Sequence, residues 1–334
     1  MRRPLLALPA AALALALLAG CGGGSDATTD DGTDAGQSAA DGAADRAVDT
    51  IQGEVTIPAD PQRIVVLNSA LTGFFYALDV PVVGSVPLNT ESTDFPPFWA
   101  DEAAADGTEI VPWSNDGFDL EAILLMEPDL IVAGGQGFPG MQAIEAYDQL
   151  SEIAPTVIVD QALPDWHVQL DYIAGDVLDR PDDAQALEDA YAARAAEVRD
   201  AITVPETPVA YLLMLPDLRP FSIPEDSALP QALAELGFEP QPILAENPHF
   251  ERMGSGDSFE MSTEQVGQAI TAPTVFVLGF QSEVISAAEL GEDPTYGDLP
   301  AYQNDQAYDL PYWAHRADYQ TALELLDYIE AEFG

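Results

Sequence analysis

Arginines are the side chains of this chain that could bind an anion, and they are few. The sequence has 10 basic residues against 58 acidic ones and a formal net charge of -48. Arg219, Arg252 and Arg316 stand in connections between apolar segments, where each could reach an anion or pair with a surface acid. A guanidinium binds oxygen-rich anions through paired hydrogen bonds. The same charge balance excludes DNA and RNA as partners, because an acidic surface repels phosphate.

Tryptophans and histidines are the next candidates. Flat aromatic faces hold cationic or aromatic ligand groups, and core packing is the alternative for each of them. The four tryptophans are Trp99, Trp113, Trp166 and Trp313. Three histidines with a carboxylate could bind zinc or manganese, but His167, His249 and His315 lie far apart in the sequence. We therefore keep direct metal binding only as an alternative.

Motifs of hydrolytic enzymes do not occur in the sequence. There is no Gly-x-Ser-x-Gly elbow and no His-Glu-x-x-His pair, and the segment 254–257 predicts a turn. An extracellular enzyme of another kind stays open, as does a purely structural protein without a cleft.

Cys21 is the only cysteine, and it follows an apolar run near the amino end. Residues 1–3 are basic at Arg2 and Arg3, and residues 5–19 are apolar leucine and alanine apart from Pro9. This order is typical of a secretory signal peptide and is short for a membrane span. Leu18-Ala19-Gly20-Cys21 resembles the lipobox of bacterial lipoproteins. We expect a signal peptide over residues 1–20 and lipid on the Cys21 thiol, with a chance cysteine as the alternative.

A polar segment follows the cysteine. Residues 22–45 contain no large apolar side chain, so they cannot bury enough surface to offset the entropy of ordering. We predict a flexible acidic tether over residues 21–52. An acidic tail that binds a partner is the alternative.

Strand and helix patterns alternate through the rest of the chain. Predicted strands lie at 63–67, 82–84, 130–133, 156–159, 209–215 and 274–278. Predicted helices lie at 69–78, 120–126, 141–151, 228–236, 262–270 and 318–333. The alternation predicts α/β layers with mainly parallel sheets. Between the halves, residues 166–202 are mostly helical, with Leu187, Tyr191, Val198 and Ile202 on one stripe.

We therefore predict an α/β fold of two Rossmann-like lobes joined by one long helix, with a ligand cleft between the lobes. The lobes are placed at residues 53–165 and 205–334, and the helical spine at 166–204.

Six stretches carry a resemblance to a known family when they are taken together and in order. They are IPADPQRIVVLN (57–68), LDVPVVGSV (78–86), DLEAILLMEPDLIVAGG (119–135), YDQLSEIAPTVIVD (147–160), LAELGFEP (233–240) and MSTEQVGQAITAPTVFVLG (261–279). The chain resembles the iron-siderophore and cobalamin class of substrate-binding proteins of ABC transporters. The resemblance implies two lobes on a rigid helical spine, with the ligand held in the cleft between them. Because a single long helix resists bending more than extended strands do, we expect only small opening and closing movements.

The function implied is that of a lipid-anchored component of an ABC importer on the outer face of the cell membrane. It would capture a ferric siderophore and deliver it to the permease subunits, as a monomer without a cofactor. Heme, cobalamin and a directly coordinated metal ion are alternative ligands.

Ligand contacts in such a fold are expected beyond the carboxyl ends of strands. Those positions include Asn68, Ser69, Gly134 to Phe138, Phe280 and Gln281, and Tyr312 lies in a nearby connection. Because ferric siderophores are bulky, often anionic and partly aromatic, we predict ligand contacts at Arg219, Trp166, Trp99, Trp113, Arg252, Trp313 and Arg316.

Docking to the permease is implied for one surface glutamate on each lobe. The matching positions are Glu121 in DLEAILL and Glu264 in STEQV. Both fall in the first turn of a predicted helix, where a carboxylate is favoured by the helix dipole in any case. Glu260 is a competitor for the second position.

Overall fold

The computed structural model describes residues 45–163, 165–254 and 256–334. The predicted signal peptide, Cys21 and most of the predicted tether lie outside these residues. Strand β1 (Arg46–Thr50) forms an antiparallel hairpin with β2 (Gly53–Ile57). The predicted tether, which extended to residue 52, was therefore too long, because residues 46–50 form a strand. Val48 is buried in the core, and the Tyr172 hydroxyl donates to the Asp49 carbonyl at 2.9 Å.

The first lobe is built on a parallel sheet. Its elements are β3 (Ile64–Val66), α1 (Ser69–Ala77), β4 (Val82–Ser85), a 3₁₀ turn (Pro97–Trp99), α2 (Ala100–Asp106), β5 (Glu109–Ile110), β6 (Trp113–Ser114), β7 (Gly117–Phe118), α3 (Leu120–Leu125), β8 (Leu130–Gly134), α4 (Phe138–Glu145), α5 (Tyr147–Ser151) and β9 (Thr156–Val159). The five strands in the order β5-β4-β3-β8-β9 are all parallel, and β6 and β7 form a separate hairpin. The helix predicted over 141–151 is two helices, and the first begins at Phe138 with Pro139 in its first turn.

The helical region between the lobes is interrupted once. It comprises α6 (Trp166–Asp171), a π-helical segment (Tyr172–Val177) and α7 (Pro181–Ala201), which is 21 residues long. Asp179 has a φ of 56°, and Pro181 opens α7. Proline lacks an amide donor and cannot continue a helix from the preceding turn, so the chain breaks before Pro181 and restarts there. The long connecting helix is therefore α7 alone.

The second lobe has a mixed sheet. Its elements are β10 (Val209–Met214), β11 (Pro220–Ser222), α8 (Ala228–Glu235), α9 (Ile243–Glu246), β12 (Phe259–Glu260), α10 (Thr263–Ala269), β13 (Thr274–Gly279), α11 (Ala287–Leu290), α12 (Pro294–Gly297), α13 (Pro300–Gln303), β14 (Ala307–Asp309), a 3₁₀ turn (Tyr312–His315) and α14 (Tyr319–Phe333). The strand order is β12-β11-β10-β13-β14. Strands β10, β13 and β14 are parallel, whereas β11 is antiparallel to β10 and β12.

The sheets bury both faces, as continuous apolar strands predict. On β10, Tyr211 belongs to one core cluster and Leu212 to another, because successive side chains point to opposite faces. The first of these clusters continues through the spine into the other lobe, where it includes Phe74 and Phe75 of α1. Helix α14 packs against both α1 and α7. The predicted fold class, two α/β lobes joined by a helix, is confirmed.

Within the three described ranges, no helix combines the length and the apolar content that a membrane crossing requires.

Candidate ligand cleft between the lobes

The loop after β8 and the segment before α14 meet at Arg316. Gly134, Gly135 and Gly137 have φ angles of 90°, 69° and 91°, a backbone conformation that residues with a Cβ rarely adopt. A Cβ on Gly137 would lie only 2.6 Å from Cζ of Arg316. The glycine therefore allows the first lobe to approach the guanidinium closely.

Asn68 holds this loop in place. Its Nδ2 donates to the Gly134 carbonyl at 2.7 Å and to the Gln136 carbonyl at 2.9 Å, and its Oδ1 accepts from the Ala70 amide at 3.1 Å. Asn68 is buried and all of these partners are backbone groups. It shapes the cleft by capping α1 and tying β3 to β8, which corrects the expectation that it faces a ligand.

Arg316 forms an ion pair with a buried aspartate of the second lobe. Its Nε donates to Oδ2 of Asp257 at 2.6 Å, and the two side chains are 17% and 3% exposed. The Arg316 guanidinium carbon lies 5.7 Å from the centre of the Phe280 ring, within the range of a cation–π contact. The pair places a guanidinium face in the cleft, but its charge is compensated from behind.

His315 adjoins this pair and, like Arg316, lines the small recess beside Trp313. Its Nε2 is 3.3 Å from the Asp257 carbonyl oxygen, and its side chain is almost fully buried. Burial, followed by the nearby positive charge of Arg316, lowers the pKa of His315 to about 4. His315 is therefore neutral at physiological pH and adds no charge to the cleft.

A cavity of about 370 Å³ opens between the lobes beside Arg316. Most of its lining is apolar, with Phe138 and Met141 contributed by α4 and Met253 and Phe280 by the second lobe. Its polar lining residues are Asn115, Gln281 and Arg316. A volume of this size with few polar groups is typical of a small-molecule site.

A second cavity of about 260 Å³ adjoins the first, since both are lined by Asn115, Phe138 and Met141. It is also lined by Asp116 and Glu145, whose side chains are exposed. All of the residues that line this second cavity belong to the first lobe, and none of them is an arginine.

Two of the seven predicted contact residues are brought together here. Trp313 is half-buried and lines a small recess with Tyr312, Ser69 and Arg316. The ring of Trp313 packs edge-on against Phe98 at 5.4 Å. The tryptophan and the arginine therefore border the same opening.

Three predicted tryptophans lie in the core instead. Trp99 is 0% exposed, Trp166 1% and Trp113 7%. Trp166 stacks on His167 at 3.7 Å and Trp99 contacts the ring of Phe98 at 5.7 Å. The prediction that these three rings line the cleft was wrong, because large aromatic side chains also supply the packing of the cores.

The other two predicted arginines are bound by surface acids. Arg219 is half exposed, and it pairs with Asp217 at 2.8 Å and with Glu260 at 3.1 Å. Arg252 pairs with Asp226 and donates to the Gly256 carbonyl at 3.2 Å. Neither lines the two cavities described above, which corrects their assignment to the cleft.

Sequence reasoning did not single out Met141, Met253, Asn115 or Asp257. Only the position of Asp257, at the end of the predicted turn at 254–257, could have suggested that it closes a loop. Its partner lies 59 residues further along the chain, a spacing that carries no local signal.

Among the described residues, no group of three or more His, Cys, Asp or Glu side chains could hold a metal ion. His167 contacts Glu188 on α7 and Glu235 on α8, at 2.6 Å and 3.7 Å. His249 packs on Phe250, and His315 lies beside Asp257. The three histidines thus have different neighbours.

Glu121 and Glu264 are exposed in the first turns of α3 and α10. Other residues cap both helices. Oδ1 of Asp119 accepts from the Glu121 amide at 3.1 Å and from the Ala122 amide at 3.0 Å, whereas Ser262 and Gln265 form a capping box on α10. A hydrogen bond from its own amide, then one from Ser262, lowers the pKa of Glu264. Neither glutamate is required to cap its helix.

Two α/β lobes on a connecting helix, with a partly apolar cavity between them, define a two-lobed ligand-binding protein. Residues 64–312 match the model of the periplasmic binding protein family, and the chain belongs to that family. The family resemblance seen in the sequence is thereby confirmed.

The chain is 28% identical over 289 residues to the ferric enterobactin-binding periplasmic protein FepB of Escherichia coli O6:H1, a match that covers 84% of this chain and 89% of FepB. A shorter match of 34% identity over 123 residues is to the probable siderophore-binding lipoprotein YfiY of Bacillus subtilis, over 36% of this chain and 34% of that protein. The fold is similar to the crystal structure of holo-ViuP, with a TM-score of 0.73, 24% identity and coverage of 86% of this chain and 95% of that one.

Proposed function

We propose that this protein is the substrate-binding component of an ABC importer and that it holds a ferric siderophore between its lobes. The observation that carries the proposal is the 370 Å³ cavity, in which Arg316 and Phe280 face Phe138 and Met141 across the cleft. The relatives support it, since FepB is described as binding ferric enterobactin and YfiY as a probable siderophore-binding lipoprotein. Aromatic rings, thioethers and a guanidinium suit a bulky, largely apolar ligand with a few polar atoms.

Titration with a panel of ferric siderophores tests this proposal directly. Trp313 borders the recess beside Arg316, so we expect saturable quenching of its fluorescence with a Kd of about 1 μM or tighter. Trp313→Phe should remove most of the signal while calorimetry still detects binding. Trp113→Phe is the matched control, because that ring lies in the core of the first lobe.

If calorimetry detects no binding of any ferric siderophore to the folded protein, the proposal fails. Chemical turnover of the ligand would indicate an enzyme instead.

Delivery to a permease is the second part of the proposal, and it rests on Glu121 and Glu264. Both are exposed, one on each lobe, and neither is needed as a cap. We expect Glu121→Ala with Glu264→Ala to abolish uptake through the cognate permease without changing the affinity for the ligand. Glu152→Ala with Glu239→Ala is the control, since these exposed residues also lie one on each lobe and remove the same charge.

Uptake at the parental rate by the first double variant would contradict the docking role. Loss of ligand binding would place the two glutamates in the cleft instead.

The membrane anchor is the third part. It concerns Cys21, which lies outside the described residues, and it is supported by the sequence pattern that precedes the cysteine. Cys21→Ser should release the protein from the membrane or leave it unprocessed. A variant that stays membrane-bound at the parental mass would rule out lipidation at this position.

A further inference from the structure

The charges around the cleft indicate which ferric complexes it accepts, an inference that rests on the proposed function. Arg316 is the one arginine that lines the two adjoining cavities among the described residues. Its Nε bonds to Asp257 at 2.6 Å, and that carboxylate is only 2% exposed. The arginine therefore enters the cleft as half of a neutral pair.

No other positively charged side chain lies in the described lining of the two cavities. His315 is almost fully buried beside the pair, and its lowered pKa of about 4 leaves it uncharged at neutral pH. The remaining arginines predicted for the cleft, Arg219 and Arg252, are held on the surface by carboxylates. An anion entering the cleft would find a guanidinium that is already paired.

Two carboxylates of the first lobe lie next to the cleft. Asp116 and Glu145 line the cavity that adjoins the main one, and Asn115, Phe138 and Met141 are shared by the two. The formal net charge of the chain is -48. A multiply charged anion would lose its hydration on entry without gaining an unpaired cation, and it would approach against the field of the whole protein.

We propose that the cleft selects ferric complexes that are neutral or carry a positive charge, as tris-hydroxamate complexes do, over tris-catecholate complexes with three negative charges. The apolar lining of Phe138, Met141, Met253 and Phe280 contacts the body of the complex. Asp116 and Glu145 line the adjoining cavity, where they would contact a cationic side arm that extends into it.

Calorimetric titration with three probes tests the selectivity. They are ferrioxamine B, which carries a pendant ammonium, its N-acetylated neutral form, and ferric enterobactin with three negative charges. We expect both hydroxamate complexes to bind at least about tenfold more tightly than ferric enterobactin. Tighter binding of ferric enterobactin would overturn the selectivity and leave the proposed function intact, whereas binding of no ferric siderophore would remove the proposed function itself.

Two sets of variants test which charged side chains cause the selectivity. Asp257→Asn leaves the charge of Arg316 uncompensated, so we expect ferric enterobactin to gain about tenfold in affinity while the neutral complex changes little.

Since Asp257 is buried and this variant could misfold, the exposed pair Asp116→Asn and Glu145→Gln is the second test. It should weaken ferrioxamine B relative to the N-acetylated form. Equal effects on both hydroxamate complexes, or none, would contradict a role for these carboxylates.

Discussion

The Gly73 amide donates a hydrogen bond of 2.6 Å to Oδ2 of Asp318, although the two residues are 245 positions apart. Asp318 also caps α14 through the Thr321 amide at 2.8 Å, so one buried carboxylate joins α1 to α14. A Cβ on Gly73 would lie 2.3 Å from that oxygen. The contact therefore requires a residue without a side chain.

We predict that Gly73→Ala destabilises the protein by about 1–3 kcal/mol, the usual cost of forcing a methyl group into a packed site. Urea unfolding followed by circular dichroism measures the free energy. Gly267→Ala is the control, because Gly267 lies in α10 and a Cβ added there would meet no neighbouring group within 4 Å. That change should be neutral or stabilise by about 0.4–1 kcal/mol. Equal effects of the two substitutions would contradict the tight fit at Asp318.

His167 gives the stability a pH dependence. Burial alone would lower its pKa, but contacts with Glu235 and Glu188 raise the pKa of His167 to about 9. Because the folded pKa exceeds the unfolded value of about 6.5, the stabilisation is fully present below pH ~6.5 and is lost as the pH rises through about 9.

We therefore expect His167→Gln to cost about 2 kcal/mol at pH 6, less than the full shift implies because solvent screens the partly exposed ring, and progressively less up to pH ~10. Urea unfolding of both proteins across this range provides the measurement. A difference that does not change with pH would show that the ring acts through packing on Trp166 rather than through its charge.

Gly137 should matter for binding as well as for stability, because its φ of 91° and ψ of 178° are rarely adopted by other residues. An alanine there would collide with the Arg316 guanidinium, so we expect ligand affinity to fall by about tenfold. Gly107→Ala is the control for a positive φ without a steric conflict, since its φ is 68° and a Cβ there would have no neighbour within 4 Å. It should cost stability and leave affinity unchanged. Parental affinity in Gly137→Ala would mean that Arg316 can move without consequence for the ligand.

The spine should limit domain movement. Helix α7 and helix α14 pack against each other in the region between the lobes, and a packed helix pair bends less easily than extended strands. We expect the radius of gyration to change by less than about 1 Å when ligand binds. Small-angle X-ray scattering with and without ligand measures this, and a large compaction would contradict a rigid spine.

Apolar strand patterns allowed most of the sheet structure to be predicted. The predicted strand at 156–159 has the observed bounds, and those at 130–133 and 274–278 end one residue early, at Gly134 and Gly279 in the structure. Strand β1 was missed because only Val48 among its five residues is buried, so its sequence resembles a linker. Its stability comes from pairing with β2 and from contacts that lie far away in the sequence.

The cleft was less predictable than the fold. Residue type identified Arg316 and Trp313, but it could not separate them from Trp99 and Trp166, which have the same chemistry as Trp313 and lie in the core. Nor could it reveal that Arg316 is neutralised by Asp257. Burial and ion pairing depend on which segments, distant in the sequence, come together in the fold. Local sequence patterns do not show this.

The core cluster shared by α1, β10 and α14 also affects the order in which parts of the protein can fold during synthesis. Phe74 and Phe75 belong to the same cluster as residues of the last helix, such as Leu325 and Ile329. Whenever the chain emerges amino end first, the contacts between α1 and α14 form only after residues about 250 positions later have emerged, and such non-local contacts form slowly. Until α14 docks, the apolar side chains of α1 that contact it lack this cover, and exposed apolar surface favours aggregation.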